Sequence, residues 1–180
     1  MIEPAPDETT LSLAFEAALR APDHGQLRPY RFFLVRGQAR HALGDLMAKH
    51  LAESDPTAGL EQLAKMRQKP LRAPLIVVVA AKLVDHPKVP RIEQVVGAGA
   101  AAQNILLCLH ARGYAGIWRT GGAAYSDSIK ASFGLAQAGA TQYPARAPHR
   151  SRHRVERLAT WSRRMHSRAT RSGWPTPTKH

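Results

Sequence analysis

The sequence predicts a single domain in which helices cover a central β-sheet. The chain has 180 residues and is 44% hydrophobic, which is enough for one core and short for two domains. The segment LIVVVAA at 75–81 is a continuous β-branched run, typical of strands that are buried on both faces. Segments with helical periodicity precede and follow it, so we expect this strand to lie between layers of helices.

Three helices and a strand are predicted before LIVVVAA. The first helix follows from apolar residues at helical spacing, namely Leu11, Phe15, Ala18 and Leu19. It should end at Pro22, and a short buried strand should follow at 31–35. Two amphipathic helices are then expected on either side of the break at Asp55-Pro56, and Pro70 should end the second of them.

Two helices and a strand are predicted after LIVVVAA. The segment 92–112 is rich in Ala and apolar nearly all round, and Gly113 takes the C-cap role. Such a helix belongs at the centre of the fold or in a subunit interface. A third strand is expected at 114–119, and a short helix should end at Gly134.

The net charge of +13 is concentrated in the C-terminal tail. Residues 1–136 carry 16 Lys and Arg against 12 Asp and Glu, a net of +4, whereas residues 137–180 carry 10 against 1, a net of +9. The tail has few aliphatic residues, and its apolar residues recur at neither strand spacing nor helix spacing. We therefore expect a folded domain at 1–135 and a disordered basic tail at 136–180 that supplies no strand.

Several classes of protein and site are disfavoured. No apolar run approaches the roughly 20 residues that a membrane-spanning helix needs, and a cytoplasmic protein is expected. The single cysteine, Cys108, cannot form an internal disulfide and is expected to be a buried core thiol. The common nucleotide, zinc and serine-hydrolase motifs are absent. His149 and His153 share a helical spacing but have no third ligand in register, so no metal site is expected.

Two polar turns stand out against this apolar background: RAPDHGQLRPY at 20–30 and GIWRTGG at 116–122. In sheets covered by helices, ligands collect beyond the carboxyl ends of strands. The turns offer positive charge from Arg20, His24 and Arg119. They also offer the hydroxyl of Thr120, the flat apolar ring of Trp118, and several glycines. This set suits a phosphorylated aromatic cofactor.

Each of these residues also has a simpler structural interpretation. Arg20 could neutralise the carboxyl end of the first helix. His24 could be a turn residue bonded to backbone, and Trp118 could be part of the core. Asp23 is interpreted as structural, accepting N–H groups of its own turn.

Four strings together resemble a known family: APDHxxxxPYRFF, RAPLIVVVAAK, KVPRIEQ and GIWRTG. In this order and spacing they are similar to the small FMN-dependent nitroreductases of the NAD(P)H nitroreductase subgroup. The resemblance runs from about residue 3 to residue 135. It implies a homodimeric α+β fold of three layers, with a central mixed sheet flanked by helices and FMN bound at the dimer interface.

The resemblance also implies an activity and its binding residues. FMN, reduced by NAD(P)H, would pass two electrons to a nitroaromatic or quinone-like acceptor by a ping-pong mechanism, without a catalytic side chain or a metal. The positions that match FMN contacts are Arg20, His24, Trp118, Arg119 and Thr120. The positions that match the nicotinamide nucleotide site are Leu107, Cys108, Leu109, His110, Ala111 and Arg112.

The sequence departs from the family pattern at both ends. Family members carry a further N-terminal helix that ends in an Arg-Arg-Ser phosphate clamp, and without it we expect weakened FMN binding. They also continue after the short helix into a strand resembling GFLYLGTP. Here residues from about 136 onwards are expected to be an out-of-frame translation, so that the last strand is missing and activity is low.

An alternative hypothesis assigns the function to the tail. A non-enzymatic protein could bind nucleic acid through the basic residues, with Trp161 and Trp174 as stacking groups. This is the weaker hypothesis, because no nucleic-acid recognition fold accompanies the charge.

Overall fold

The computed structural model describes residues 4–135 and the backbone of residues 158–163. Within these residues the helices are α1 (Glu8–Ala18), α2 (Gln38–Ser54), α3 (Leu60–Gln68), α4 (Arg91–Ala111) and α5 (Asp127–Ser132). The strands are β1 (Tyr30–Arg36), β2 (Leu75–Ala81), β3 (Tyr114–Arg119) and β4 (Leu158–Arg163). Short 3-10 turns lie at His24–Gln26, Lys69–Arg72 and Gly122–Tyr125. The predicted order of elements before the tail is confirmed.

Local signals explain where several elements begin and end. The Asp7 carboxylate caps α1 by accepting the Thr10 N–H at 2.7 Å, and this bond lowers the pKa of Asp7. Gly113 and Gly134 follow α4 and α5 with φ of 83° and 65°, a conformation that costs glycine no steric strain. Both β2 and β3 have the bounds that the sequence predicts.

The sheet has the order β1-β2-β4-β3, and in the described strands all three pairings are antiparallel. The α+β fold class is confirmed, but the expected mixed sheet is corrected to an antiparallel one. Strands β2 and β3 do run in the same direction, as a helical crossover requires. They do not pair with each other, because β4 lies between them and runs opposite to both.

Strand β4 lies in the basic tail and corrects the expectation that the tail supplies no strand. The backbone of β2 needs a hydrogen-bond partner on its second edge, and a strand can supply one with few aliphatic side chains. Residues 136–157 and 164–180 lie outside the described residues. The disorder of the tail and its out-of-frame origin therefore stay predictions.

Helices cover both faces of the sheet, which gives the three layers expected. On one face, α1 and α4 pack on alternate residues of β2, through a buried cluster that includes Leu11, Val77 and Ile105. On the other face, α2 and α5 pack on the intervening residues of β2, through a cluster that includes Met47 and Val78. The run LIVVVAA is buried because both of its faces are covered.

Helix α4 is central to the fold, as its composition predicts. It packs against α1 and the sheet, and Ala101, Ile105 and Leu109 are fully buried. Among the described helices, α4 alone is both long enough and apolar enough to cross a membrane. Of its most apolar stretch, 39% is buried inside the protein. The core helix of a soluble protein meets the same criterion of length and composition, so this finding is weak evidence for a membrane span.

Candidate functional site

The two polar turns lie at the same end of the sheet. Tyr30, the first residue of β1, pairs with Ala81 at the carboxyl end of β2. Arg119, the last residue of β3, pairs with Leu158 of β4, and Leu158 also pairs with Val78 of β2. The carboxyl end of β3 therefore points toward the same end of the sheet as that of β2. The turns nevertheless belong to opposite edges, about 14 Å apart at ~4.8 Å per strand spacing. The structure thus brings them to one end without bringing them into contact through the sheet.

The turn at 20–29 is organised by Asp23. Its carboxylate accepts the N–H of Leu27 at 3.1 Å and the N–H of Arg28 at 2.7 Å, which confirms the structural interpretation of this residue. Gln26 and Arg28 have positive φ of 52° and 46°, which is unusual for residues with side chains. The two bonds to Asp23 stabilise this backbone. Arg20 follows α1 and is exposed, and its side chain has no hydrogen-bond or ion-pair partner within the described residues.

This turn also packs closely against the segment that leads into α4 and against α4 itself. Gly25 has a φ of 73°, and a Cβ placed on it would lie 3.0 Å from Val89. A Cβ on Gly97 of α4 would lie 3.0 Å from the Pro22 carbonyl oxygen. Glycine is required at both positions because the two segments approach so closely.

His24 contacts Glu93 in the first turn of α4. Its Nδ1 lies 2.6 Å from the Glu93 carboxylate, and the two side chains are 58% and 47% exposed. The interpretation of His24 as a residue bonded to backbone is therefore replaced by a side-chain pair. The ring remains accessible to a ligand.

Tyr30 closes the turn and responds to its charges. The side chain is buried and stacks on Phe32 with ring centroids 5.6 Å apart. Burial raises the pKa of the Tyr30 hydroxyl above its usual 10.0, the negative charge of Asp23 raises it further, and Arg28 opposes the effect. The pKa of Tyr30 therefore reports on the geometry of this turn.

The turn after β3 is more open. Trp118 is half-buried and packs against the core cluster beneath α1 and α4, so it serves the core at least in part. Arg119 and Thr120 are exposed, and their side chains have no hydrogen-bond partner within the described residues. A Cβ on Gly121 would have nothing within 4 Å, and one on Gly122 would lie 3.4 Å from His50 of α2. Cations and a hydroxyl therefore remain available for an anionic ligand.

The stretch matched to the nicotinamide nucleotide lies elsewhere. Residues 107–112 form the carboxyl end of α4, about 25 Å along that helix from Glu93 at ~1.5 Å per residue. Leu109 is fully buried in the core. Cys108 is half-buried, rather than buried as expected, and its sulfur accepts an Arg112 N–H at 3.1 Å. Within one chain, the structure does not bring this stretch near the two turns.

Other predicted sites receive little or no structural description. Among the described residues, no group of three His, Cys, Asp or Glu could hold a metal ion. His149, His153 and Trp174 lie outside the described residues. Only the backbone of Trp161 is described, within β4.

Two residues that stabilise the site were not singled out from the sequence. Glu93 pairs with His24 from 69 positions away, and no local spacing indicates such a contact. Gln94 is buried and connects the loop after β2 to α4. Its side-chain oxygen accepts the Val84 N–H, and its side-chain NH₂ donates to the carbonyl oxygens of Val84 and Val89. Both lie in the string KVPRIEQ, which was noted only as part of the resemblance.

The chain is similar to several known proteins. A sequence model of the nitroreductase family matches residues 3–143. The protein named putative NAD(P)H nitroreductase YdjA of Escherichia coli K12 is 37% identical over 136 residues, which are 74% of this chain and 72% of that protein.

Solved structures share the fold. A nitroreductase-like family protein from Bacillus cereus superposes with a TM-score of 0.70 at 21% identity, over 98% of this chain and 84% of that one. A variant of the FMN and NADPH-dependent nitroreductase NfnB, derived from sphigopyxis sp. strain HMH, gives a TM-score of 0.65 at 18% identity, over 99% and 88% of the two chains. The family match does not favour the nucleic-acid hypothesis.

Proposed function

Because the chain belongs to the nitroreductase family, we propose that it is an FMN-dependent oxidoreductase that uses NAD(P)H to reduce nitroaromatic or quinone-like acceptors. We further propose that it acts as a homodimer in the cytoplasm. The observation that carries the proposal is the position of the turns 20–29 and 119–122 at one end of the sheet. Both turns come from strings that resemble the family pattern, and both lie within the residues that the family model matches.

The donors at this end suit FMN. Arg20 and Arg119 are exposed cations, and among the described residues neither has an ion-pair partner. Either could bind the phosphate, or the ring edge at which negative charge develops on reduction. Thr120 adds a hydroxyl, and the half-buried Trp118 adds an apolar surface. FMN, when bound, would supply hydride acceptance from NAD(P)H and electron transfer to the acceptor.

The protein's own part in the reaction is to bind and orient. One open side of the site would admit NAD(P)H and the acceptor in turn, which gives ping-pong kinetics. Positive charge from Arg20 or Arg119 would favour the reduced state of the site. No side chain is required as a nucleophile.

The separation of the two turns supports a site shared between two subunits. Since the turns lie on opposite edges of one sheet, each could meet the other turn of a second copy. Helix α4 offers a surface for such a copy, because Ile92, Val96 and Leu107 are 60%, 64% and 56% exposed and recur on one face. The nucleotide stretch at 107–112 includes part of this face, so we propose that it serves the partner's site.

The test of the function begins with flavin. We expect the purified protein to bind FMN with a visible absorption spectrum, to be reduced by NAD(P)H, and to give parallel double-reciprocal lines with a nitroaromatic or quinone. Arg119→Ala should weaken FMN binding about 10- to 100-fold, as expected for loss of a charged hydrogen bond. Arg72→Ala, an exposed arginine at the other end of the sheet, is the matched control. Absence of flavin binding by the wild-type protein would refute the proposal.

The dimer has a separate test. Val96→Lys places a charge in the exposed face of α4 and should shift the protein to monomer in analytical ultracentrifugation. Leu60→Lys changes a leucine of α3 that is 86% exposed and should leave the oligomeric state unchanged. Equal sedimentation of both variants as dimers would place the interface elsewhere.

A further inference from the structure

The pair formed by His24 and Glu93 joins two parts of the chain that are far apart in sequence. His24 lies in the 3-10 turn before β1, and Glu93 lies in the first turn of α4. The distance of 2.6 Å between Nδ1 and the carboxylate oxygen is at the short limit for such bonds and is typical of a charge-assisted one. Both side chains are about half exposed, so the pair contributes little to folding stability.

The backbone of the turn is held without this pair. Asp23 accepts hydrogen bonds from two of its N–H groups, Gly25 allows its close packing against Val89, and Gly97 of α4 allows the helix to pack closely against Pro22. Loss of Glu93 would therefore leave the turn in place. What the carboxylate determines is the orientation and the protonated nitrogen of the His24 ring.

The chemistry of the pair defines which nitrogen a ligand meets. An ionised carboxylate only accepts hydrogen bonds, so Nδ1 of His24 carries the proton that it donates to Glu93. The other nitrogen, Nε2, then faces away from Glu93 and is free to contact a ligand. A histidine without this partner would sample both tautomers and several ring orientations.

We propose that Glu93 is a positioning residue, which orients the His24 ring so that Nε2 contacts FMN. This inference rests on the proposed function. It assigns to the first turn of α4 a role in cofactor binding that requires no contact between Glu93 and FMN.

The experiment compares Glu93→Ala and Glu93→Gln with the wild-type protein. Glu93→Ala should weaken FMN binding by about 10-fold, which is the lower end of the effect known for metal-binding histidines that lose an outer-shell partner. Glu93→Gln keeps an oxygen acceptor and should restore part of the affinity. In a His24→Ala background, Glu93→Ala should have no further effect, because the residue acts through the ring.

A spectroscopic measurement distinguishes positioning from stability. Nitrogen-15 shifts of His24 should show the Nδ1–H tautomer of the neutral ring in the wild-type apoprotein and a mixture of tautomers in Glu93→Ala, with unchanged thermal unfolding. The control is Glu8→Ala, which breaks the Arg36–Glu8 pair, also 2.6 Å long, at the opposite end of the sheet. It should alter neither FMN affinity nor the His24 shifts.

The outcomes separate the inference from the function on which it rests. Wild-type protein that binds FMN as tightly as Glu93→Ala, or an additive effect of Glu93→Ala in the His24→Ala background, would overturn the positioning role and leave the function standing. Wild-type protein that binds no FMN would overturn both. Reduced affinity in Glu93→Ala with partial recovery in Glu93→Gln and altered His24 shifts would support the inference.

Discussion

The turns at 20–29 and 119–122 lie at the same end of the sheet but are built in different ways. The first is held by contacts within the chain, through the Asp23 carboxylate and the packing of Gly25, and the His24–Glu93 pair orients one of its side chains. The second has exposed Arg119 and Thr120 side chains, and its Gly121 has open space around it.

This difference indicates which property of the protein each turn affects. The first turn loses its conformational freedom during folding, because its own residues satisfy its backbone groups. The second has fewer such contacts within the described residues, and its exposed side chains are available to a ligand or a second subunit. Substitutions in the first turn should therefore change stability, whereas those in the second should change binding.

The largest expected effect comes from matched glycine substitutions in the two turns. Gly25→Val places a branched side chain at a φ of 73° and against Val89, and should lower the free energy of unfolding by about 2 to 4 kcal/mol. Gly121 has an extended backbone with open space around it, so Gly121→Val should change the free energy of unfolding by less than ~0.5 kcal/mol. Urea unfolding measures both. Equal losses would show that the turns do not differ as described.

A smaller effect is expected from removal of the Asp23 carboxylate. Asp23→Ala leaves the N–H groups of Leu27 and Arg28 without their acceptor and should lower the free energy of unfolding by about 1 to 2 kcal/mol. Asp23→Asn keeps one oxygen and should lie between the wild-type protein and the alanine variant. If neither substitution changes the urea midpoint, the turn is held by its packing alone.

The smallest effect concerns Tyr30 at high pH. Because its pKa in the folded protein is raised above 10.0, its contribution to stability is full below pH 10.0 and is lost as the pH rises through the raised value. The stability difference between wild-type protein and Tyr30→Phe should therefore stay constant below pH 10.0 and shift against the wild type as the pH rises above it. Asp23→Asn should lower the pKa of Tyr30 in an absorbance titration of tyrosinate. A difference that is independent of pH would contradict this assignment.

Most elements follow from local sequence, because their signals act over a few residues. The run LIVVVAA predicted β2 from its apolar β-branched side chains, and Gly113 predicted the end of α4 from the conformation it favours. The role of Asp23 also follows from sequence, since the N–H groups that donate hydrogen bonds to its carboxylate lie only four and five residues away. The two polar turns were recognised for the same reason: their residues are contiguous.

Other features depend on contacts between distant segments. The place of β4 between β2 and β3 satisfies backbone groups of both neighbours, and backbone pairing leaves little trace in side-chain periodicity. The separation of the turns across the sheet follows from this strand order. The position of 107–112 at the far end of α4 follows from the length of the helix.

The sequence by itself determined the helices, three of the strands, the resemblance to a flavin-binding family and the residues of the two turns, because each is encoded in short-range pattern and composition. Only the tertiary structure decided that the sheet is antiparallel, that the turns lie at one end but on opposite edges, and that Glu93 holds His24. These depend on which segments meet after the chain folds. The free energy of those contacts comes from burial and hydrogen bonds between residues far apart in the sequence, such as His24 and Glu93 at 69 positions, which no local window contains.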